Sequence, residues 1–346
     1  MFLTLLSPLL ALALLAGLAF PGTHASTRWQ LILHAPAVHL ATGVAIDLRG
    51  DPRASKWAYT ADTQSGTIVK FGTNGRVLRS WPYRKYPSST GFPSLAVGGS
   101  GNLFVADSTA RSVAKYSPQG TLLARWPGFQ APRGIALDRA GNVYVAEFLG
   151  LRVTKLSSSG ETLARWSIPW ANGSGQATPS AVALDPWGRL YVAATCYRDA
   201  CTAGHGDQQD EVLRLSSTGA VQADWFGQTA HGGVVKEFEP WSNIDSLTTD
   251  RGGNWYVSSS LQVRTAGNLH PGDETFPGVV AYSSNGYPFA QWPLPRPYGP
   301  GAFGLALDPQ GRLYAATITG SGSGILRLAP PPPNPSPSRV HERTVW

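Results

Sequence analysis

An internal repeat constrains the fold of this chain more than any other feature of its sequence. One unit contains Gly134-Ile-Ala-Leu-Asp138, Val143-Tyr-Val-Ala-Glu147, Arg152-Val-Thr-Lys-Leu156 and Thr162-Leu-Ala-Arg-Trp166. Each run is rich in β-branched or aromatic residues, and Gly-containing segments separate the runs. This pattern is typical of four strands in an antiparallel meander.

The unit recurs along the chain with a spacing typical of propeller blades. The spacing is 40 residues from Gly98 to Asp138 and 47 from Asp138 to Asp185. The first strand recurs at Gly43–Asp47, Ser94–Gly98, Ala181–Asp185, Ser246–Asp250 and Gly304–Asp308, and the fourth ends at Trp81, Trp126, Trp166, Trp225 and Trp292. One such sheet cannot bury both faces, so the units must stack radially. We therefore predict an all-β fold, a six-bladed β-propeller of four-stranded antiparallel blades, with the recurring Trp side chains between blades.

The sixth unit lacks its fourth strand, because Gly324–Leu328 runs directly into a proline-rich tail. A matching strand lies at the other end of the chain, where residues 29–35 share the apolar pattern and following proline of Thr121–Pro127. We expect residues 29–35 to pair with 324–328 and to close the ring, which would remove exposed sheet edges.

The string from Pro132-Arg-Gly-Ile-Ala-Leu-Asp138 to Arg152-Val-Thr-Lys-Leu156 resembles the NHL repeat. The resemblance covers residues 29–328 and extends more distantly to gluconolactonase-like and lyase propellers. It implies a propeller architecture, but not one function, since such propellers serve as binding platforms, lactonases and lyases.

The two ends of the chain differ from the repeats. Residues 1–25 have an apolar stretch followed by small residues before Ser26, and they are predicted to be a signal peptide. An uncleaved membrane anchor is the alternative, and both place the propeller of residues 29–328 outside the cytoplasm, secreted or in the cell envelope. Residues 329–346 form a Pro-rich C-terminal tail. In an oxidising compartment, Cys196 and Cys201 are expected to form a disulfide bond.

The charge pattern limits the classes of binding partner that are expected. The net charge of +7 favours an anionic partner such as a cell-envelope polymer. Basic residues are scattered, and no phosphate-binding loop or dinucleotide fingerprint occurs, so no specific nucleic-acid partner is expected. Contact with a membrane is expected only through an uncleaved N-terminal segment.

The residues just before each first strand are predicted to line the mouth of the central channel. They are Thr42, Pro93, Arg133, Ser180, Asp245 and Phe303. Trp170 and Trp241, in loops on the same face, would add stacking surfaces for sugars or peptides. Arg133 and Asp245 would form either a structural ion pair or a polar-ligand site.

The resemblance also carries expectations about metal ligands at this mouth. Related lyases hold a metal with His at several of these positions, and this sequence has none there. Lactonases of the gluconolactonase group use a Glu, an Asp and Asn ligands, for which Asp245, with Asn243 nearby, is the candidate here. Neither pattern is matched in full, which disfavours both enzyme classes.

Two long loops between second and third strands carry His and carboxylates in similar order. The first contains His205 and Asp207, followed by Asp210 and Glu211, and the second contains His270 and Asp273. Together they could bind a Ca²⁺ or Zn²⁺ ion, or simply be solvated polar loops. Separately, the acids that end the second strands are expected to cap the following turns; they are Asp62, Asp107 and Glu147.

These observations predict an extracytoplasmic binding or scaffold module. Its channel-mouth face would recognise a polar ligand, namely a glycan, a peptide or a protein partner. The alternative is a metal-assisted lactonase, hydrolase or lyase acting at the same mouth.

Overall fold

The computed structural model describes residues 29–34, 38–47, 57–84, 93–170, 175–196, 209–226, 244–259, 278–294, 301–319 and 322–328. Within these ranges the chain forms 24 β-strands arranged in six sheets. In the same ranges, no helix has the length and apolar character needed to cross a membrane.

Blades 1 to 3 are built from consecutive strands. Blade 1 has β2 (Ala41–Ile46), β3 (Trp57–Asp62), β4 (Thr67–Gly72) and β5 (Val77–Pro82). Blade 2 has β6 (Ser94–Val97), β7 (Leu103–Asp107), β8 (Ser112–Tyr116) and β9 (Leu122–Pro127). Blade 3 has β10 (Pro132–Leu137), β11 (Val143–Glu147), β12 (Arg152–Leu156) and β13 (Thr162–Ser167).

Blades 4 and 5 follow the same plan, and blade 6 combines both ends of the chain. Blade 4 has β14 (Thr178–Leu184), β15 (Leu190–Cys196), β16 (Gln209–Leu215) and β17 (Val221–Phe226). Blade 5 has β18 (Ile244–Thr249), β19 (Trp255–Ser259), β20 (Gly278–Tyr282) and β21 (Pro288–Pro293). Blade 6 has β22 (Gly301–Leu307), β23 (Leu313–Thr319), β24 (Gly322–Leu328) and β1 (Gln30–His34).

The first strands form a closed inner ring. All strand pairs within each blade are antiparallel. Strands β2, β6, β10, β14, β18 and β22 contact one another in that order, and β22 contacts β2 again. The predicted six-bladed β-propeller is therefore confirmed.

The N-terminal strand closes the last blade as predicted. Strand β1 pairs antiparallel with β24, with Gln30 opposite Arg327 and His34 opposite Gly324. Arg327 also reaches across the seam, where its Nη1 donates to the carbonyl of Thr73 in blade 1 (2.8 Å). Residues almost 300 positions apart thus share one sheet.

The recurring Trp side chains pack between blades, as the sequence indicates. Trp81, Trp225 and Trp292 are buried in apolar clusters, and Trp126 and Trp166 are half-buried against such clusters. Four of these rings lie against a glycine in a turn of the next blade. The pairs are Trp81 with Gly120, Trp126 with Gly160, Trp166 with Gly219, and Trp225 with Gly286.

In blades 2 to 6, the turns between first and second strands are short and repetitive. Asp138 accepts hydrogen bonds from the backbone and side-chain nitrogens of Asn142, both at 2.8 Å. Asp250 does the same with Asn254, and it also accepts from the Tyr256 hydroxyl (3.0 Å). These Asp side chains therefore stabilise the turns that they lie in.

Candidate functional site

A ring of small residues brings the six inner strands close together. One residue near the start of each inner strand contributes: Gly43, Ser94, Gly134, Ala181, Ser246 and Gly304. A Cβ on Gly134 would lie 2.8 Å from the Cα of Ala181, and one on Gly304 would lie 2.7 Å from the Cα of Gly43. Side chains at Gly134 or Gly304 would force their strands apart, whereas Ser94, Ala181 and Ser246 already carry a Cβ.

The ring lines a cavity of about 270 Å³ at the channel mouth. Five of the six residues predicted to line it do so, one from each of blades 2 to 6: Pro93, Arg133, Ser180, Asp245 and Phe303. The prediction for the sixth, Thr42, is wrong. Its side chain is buried and lies within hydrogen-bonding distance of the Ala61 carbonyl (3.4 Å), so Gly43 and Val44 line the cavity in blade 1.

Arg133 stacks on an aromatic ring in the cavity wall. The central carbon of its guanidinium lies 3.4 Å from the centre of the Phe148 ring, a cation–π arrangement. The Phe148 amide donates to the carbonyl of Ala131 (3.0 Å), which ties the loop after β11 to the segment before β10. Ala131 has a φ of +50°, a left-handed conformation unusual for alanine. The backbone therefore orients this Arg–Phe pair.

A buried carboxylate, that of Glu147, bonds the segment that leads to Arg133. Glu147 accepts hydrogen bonds from the Gln130 amide (2.8 Å) and from Arg152 (2.9 and 3.1 Å), and it bonds the Thr154 hydroxyl. Burial raises the pKa of Glu147, but the hydrogen bonds from Arg152, Thr154 and Gln130 outweigh it and hold the pKa below its usual value. Glu147 is therefore a structural anion that joins strands β11 and β12 to the mouth segment.

The equivalent acids of blades 1 and 2 cap the following turns, as expected, whereas the Glu147 carboxylate bonds Gln130, Arg152 and Thr154. Asp62 accepts from the amides of Gln64 and Ser65 in the turn and from those of His39 and Leu40. Asp107 accepts from the Ala110 amide (2.8 Å). These carboxylates hold the backbone around the mouth and do not line the cavity.

Three hydroxyl groups around the cavity already bond the wall. Ser180 Oγ donates to the Ala193 carbonyl (3.3 Å), and Ser246 Oγ accepts from the Leu305 amide (2.9 Å). Thr195 lines the cavity and donates to Asp210, which lies behind it. The expectation that Asp210 and Glu211 belong to a polar loop is wrong, because both are buried in strand β16.

Trp170 requires a third correction. Its loop forms a bridge between Pro169 and Gln176, and the Trp170 amide donates to Gly175. The side chain is only 3% exposed and belongs to the apolar cluster that contains Ala177 and Cys196. The ring therefore packs between blades 3 and 4 and offers no stacking surface at the mouth.

Several predicted residues lie outside the described ranges. They are Trp241, Asn243, His205, Asp207, His270, Asp273 and Cys201. Cys196 is buried at the end of β15, and its disulfide with Cys201 stays a prediction. Among the described residues, no three His, Cys, Asp or Glu side chains lie close enough together to hold a metal ion.

The sequence prediction did not include one aromatic residue of the cavity wall, Phe148. Phe148 follows Glu147, the acid that ends the second strand of blade 3. The residue after each such acid begins a loop on the mouth face, so this position could have been included with those before the first strands. Ser94 and Ser246 were also missed, although the small-residue ring is visible in the repeat alignment.

Comparisons with known proteins find the fold in solved structures. No protein-family model matches the chain, and no curated protein matches it. A streptogramin B lyase is 12% identical with a TM-score of 0.53, and the match covers 87% of this chain and 97% of that one. A catalytically inactive virginiamycin B lyase from Staphylococcus aureus, solved with quinupristin, is 12% identical with a TM-score of 0.54, over 86% and 98% of the two chains.

A gluconolactonase from Xanthomonas campestris is also similar. It is 18% identical with a TM-score of 0.56, and the match covers 88% of this chain and 93% of that one. At such identities the likeness concerns architecture alone, and the predicted membership of the NHL-repeat family stays a prediction. The chain has the six-bladed β-propeller fold that gluconolactonase and streptogramin lyase structures also adopt.

Proposed function

We propose that this protein is an extracytoplasmic binding module whose channel-mouth cavity recognises a polar ligand, either a glycan or a peptide segment, free or within a protein partner. The observation that carries the proposal is the cavity of about 270 Å³ into which all six blades contribute. Its lining combines a stacked Arg133, the carboxylate of Asp245, hydroxyl groups and the ring of Phe303. A concave site with a few convergent polar groups is the usual form of a small-ligand site.

A metal-assisted lactonase, hydrolase or lyase is the second candidate function. It is favoured by the fold, because similar structures include a gluconolactonase and streptogramin lyases. The described lining does not by itself fit a divalent ion, since its only carboxylate is Asp245, whereas Ca²⁺ takes about six to eight oxygen ligands. Metal analysis of purified protein distinguishes the candidates: a stoichiometric, tightly held Ca²⁺ or Zn²⁺ would favour the enzyme.

The proposed extracytoplasmic location rests on the apolar N-terminal segment. We expect Cys196 and Cys201 to be joined, closing a loop that is short in sequence. Reduction should have little effect on global stability, because the loop is short and local. Thiol titration of the denatured, unreduced protein should detect no free sulfhydryl, and two free sulfhydryls would refute the disulfide.

Blocking the cavity tests the binding function. Ser94 lies in the cavity lining, and Ser94→Trp would place a large ring in it. Ala140 lies exposed in a turn on the opposite face, so Ala140→Trp adds the same ring away from the site. We expect wild-type protein and Ala140→Trp to bind the same members of a glycan and peptide array, and Ser94→Trp to bind them at least tenfold more weakly.

The proposal fails if Ser94→Trp, with a melting temperature close to that of wild type, retains full binding to every array member. It also fails if binding is lost in Ala140→Trp and kept in Ser94→Trp, because the site would then lie on the opposite face.

A further inference from the structure

Positive charge is concentrated in one half of the propeller. Residues 57–84 and 93–170, which form most of blades 1 to 3, contain twelve Lys and Arg but only five Asp and Glu. Three of those five acids are buried: Asp62, Asp107 and Glu147. The described residues between 175 and 328, which belong to blades 4 to 6, contain five Arg and seven Asp and Glu. The surface of blades 1 to 3 is therefore basic, and that of blades 4 to 6 is not.

Each outer strand of blades 1 to 3 also exposes a leucine at one repeated position. The residues lie three positions before the Trp that packs between blades, and Leu78, Leu123 and Leu163 are 47%, 51% and 52% exposed. Each is the extra residue of a β-bulge, because the pairing of the fourth strand with the third skips it. Half-exposed leucines at one place in three consecutive blades differ from single apolar residues scattered over a surface.

An exposed arginine accompanies each of these leucines. Arg79 follows the first leucine directly, and Arg125 and Arg165 lie two residues after the second and third. Arg125 Nη1 donates to the Ser112 hydroxyl (3.1 Å), and Arg165 Nη2 donates to the Thr162 hydroxyl (3.3 Å). Both acceptors are neutral, so these bonds do not offset the positive charge.

Blades 4 and 5 show that the leucine–arginine pair is not required to build an outer strand. In blade 4 the bulge residue is Gln222, and Asp224 stands two residues later, yet Trp225 packs between blades as usual. In blade 5 the bulge residue is Phe289, which is partly buried and lies against the Tyr256 ring. The pairs of blades 1 to 3 therefore add surface properties that the fold does not need.

Exposed leucines beside arginines match the surface of a membrane that contains anionic lipids. Apolar side chains enter the boundary between headgroups and acyl chains, and cations are attracted by the negative surface potential. A soluble polyanion would satisfy the arginines and leave the leucines in contact with water. An anionic membrane accounts for both kinds of side chain.

The order of the blades indicates where the contact is centred. Blade 2 stands between blades 1 and 3 in the ring, since β6 contacts both β2 and β10. Because the rim is convex, Leu123 and Arg125 of blade 2 can approach a flat surface most closely. The flanking arginines add attraction over roughly 10 Å, the screening length in about 0.1 M salt.

We infer that the outer rim of blades 1 to 3 binds the surface of an anionic lipid membrane. This basic rim comprises Leu78, Arg79, Leu123, Arg125, Leu163 and Arg165. Its leucines enter the headgroup layer, and its arginines contact the anionic headgroups. The basic rim is separate from the channel-mouth cavity, and it adds a membrane contact to the one expected from an uncleaved N-terminal segment.

Binding to vesicles of two compositions tests this inference. Full-length protein is mixed with vesicles of phosphatidylcholine, or of equal parts phosphatidylcholine and phosphatidylglycerol, and the bound fraction is measured by flotation. The side chains of residues 1–20 are uncharged, so their contribution should be the same for both vesicles. We expect about tenfold tighter binding to the mixed vesicles, and a preference that declines as salt is added.

Blade 4 supplies matched variants for the rim. Leu123→Gln combined with Arg125→Asp gives blade 2 the residues of blade 4, and it should weaken binding to mixed vesicles at least fivefold. Gln222→Leu combined with Asp224→Arg gives blade 4 a leucine–arginine pair and should strengthen binding. Arg251→Asp makes the same charge change as Arg125→Asp at an exposed turn of blade 5, and it should leave binding nearly unchanged.

The outcomes distinguish a membrane from other partners of the rim. Equal binding to both vesicles, or equal loss in Arg251→Asp and the blade 2 variant, would overturn the inference. If Leu123→Gln alone leaves vesicle binding unchanged while Arg125→Asp alone abolishes it, the rim is a polyanion site and the lipid assignment is wrong. If neither vesicle binds and the blade 2 variant dissociates an oligomer in light scattering, the rim instead joins copies of this chain.

Two controls keep the test independent of folding and of the cavity. The blade 4 variant should gain binding, which a poorly folded protein cannot imitate, and the absence of any gain would count against the inference. Ser94→Trp should bind mixed vesicles as wild type does, because the cavity lies apart from the rim. Loss of ligand binding at the cavity and loss of vesicle binding are therefore separate results.

Discussion

Glu147 is 1% exposed, and its two carboxylate oxygens collect hydrogen bonds from Arg152, Thr154 and the Gln130 amide. A buried charge is tolerated when such bonds replace its lost hydration. The amide of Gln130 belongs to the segment that leads to Arg133, three residues further on. At the scale of single residues, the acid therefore supports the mouth without lining the cavity.

Replacing this acid gives a prediction with a defined pH dependence. Because its pKa in the folded protein is lowered from the ordinary 4.5, Glu147 stabilises the fold above about pH 4.5 and loses that contribution as the pH falls through the lowered pKa. Glu147→Gln should cost about 1–3 kcal/mol of the free energy of unfolding at pH 7.

Urea unfolding of both proteins between pH 7 and pH 3 checks this expectation. The difference between wild type and Glu147→Gln should begin to shrink below about pH 4.5, where the carboxyl of the unfolded chain takes up a proton, and should be smallest below the lowered pKa, where the folded carboxyl is protonated as well. A difference that stays constant over the whole range would contradict an ionised Glu147.

At the scale of strands and turns, neighbouring blades are joined by recurring contacts near the outer rim. The Trp that ends a fourth strand covers a glycine turn of the next blade. Third-strand cations add a second contact, since Lys70 Nζ donates to the Pro118 carbonyl (3.2 Å) and Lys115 Nζ to the Ser158 carbonyl (3.0 Å). The repeated Trp, Gly and basic residues of the sequence thus form contacts that join neighbouring blades.

Two glycines with similar φ angles allow the effect of the Trp–Gly contact on stability to be measured apart from the effect of backbone strain. Gly160 has a φ of +96° and faces Trp126, so an added methyl group would overlap the indole ring. Gly141 has a φ of +84°, and a Cβ there would meet only Ser158 at 3.6 Å. Both Gly→Ala variants should lose about 1–2 kcal/mol from the left-handed backbone.

We expect Gly160→Ala to lose about 1–3 kcal/mol more than Gly141→Ala, because the overlap forces the indole or the blade to shift. Chemical unfolding of the two variants measures the difference, and Trp fluorescence reports on the indole environment. Equal destabilisation of both variants would show that the Trp–Gly contact contributes nothing beyond backbone strain.

At the scale of the whole molecule, stability depends on closing a ring whose ends come from opposite ends of the chain. Strand β1 covers the edge of β24, and Arg327 joins blade 6 to blade 1 through Thr73. Leu33 is buried in the apolar cluster shared by these two blades. Losing β1 would therefore remove core contacts and expose a strand edge at the same time.

Two N-terminal truncations test this role. A chain beginning at residue 36 lacks β1, whereas one beginning at residue 29 retains it. We expect the shorter chain to melt at a lower temperature and to self-associate in light scattering, while the longer one stays monodisperse. If both behave alike, the closing strand is dispensable and the ring is held by the other blade contacts.

The architecture was predictable because its determinants are local and repeated. Each strand shows its own apolar pattern and turn residues, and repetition excludes other arrangements. Even the distant pairing of β1 with β24 followed from counting strands per blade. The mouth was partly predictable for the same reason, since Arg133, Ser180, Asp245 and Phe303 occupy a fixed place in the repeat.

The positions of the remaining predicted side chains depended on loop conformations and on neighbours that are distant in sequence. Trp170 points into the core because its loop folds back at Pro169 and Gln176, and Thr42 turns to the Ala61 carbonyl instead of the cavity. Asp210 and Glu211 extend strand β16 because they pair with Thr195 and Ala194 across the sheet.

The sequence by itself determined the number of blades, the strands within them, the closing strand and the ring position of each mouth residue, because periodic patterns encode them residue by residue. Only the tertiary structure decided which of those residues open onto the cavity and that Phe148 lies beneath Arg133. Those features depend on left-handed residues, loop hydrogen bonds and contacts between blades, and none of these produces a repeating pattern in the sequence.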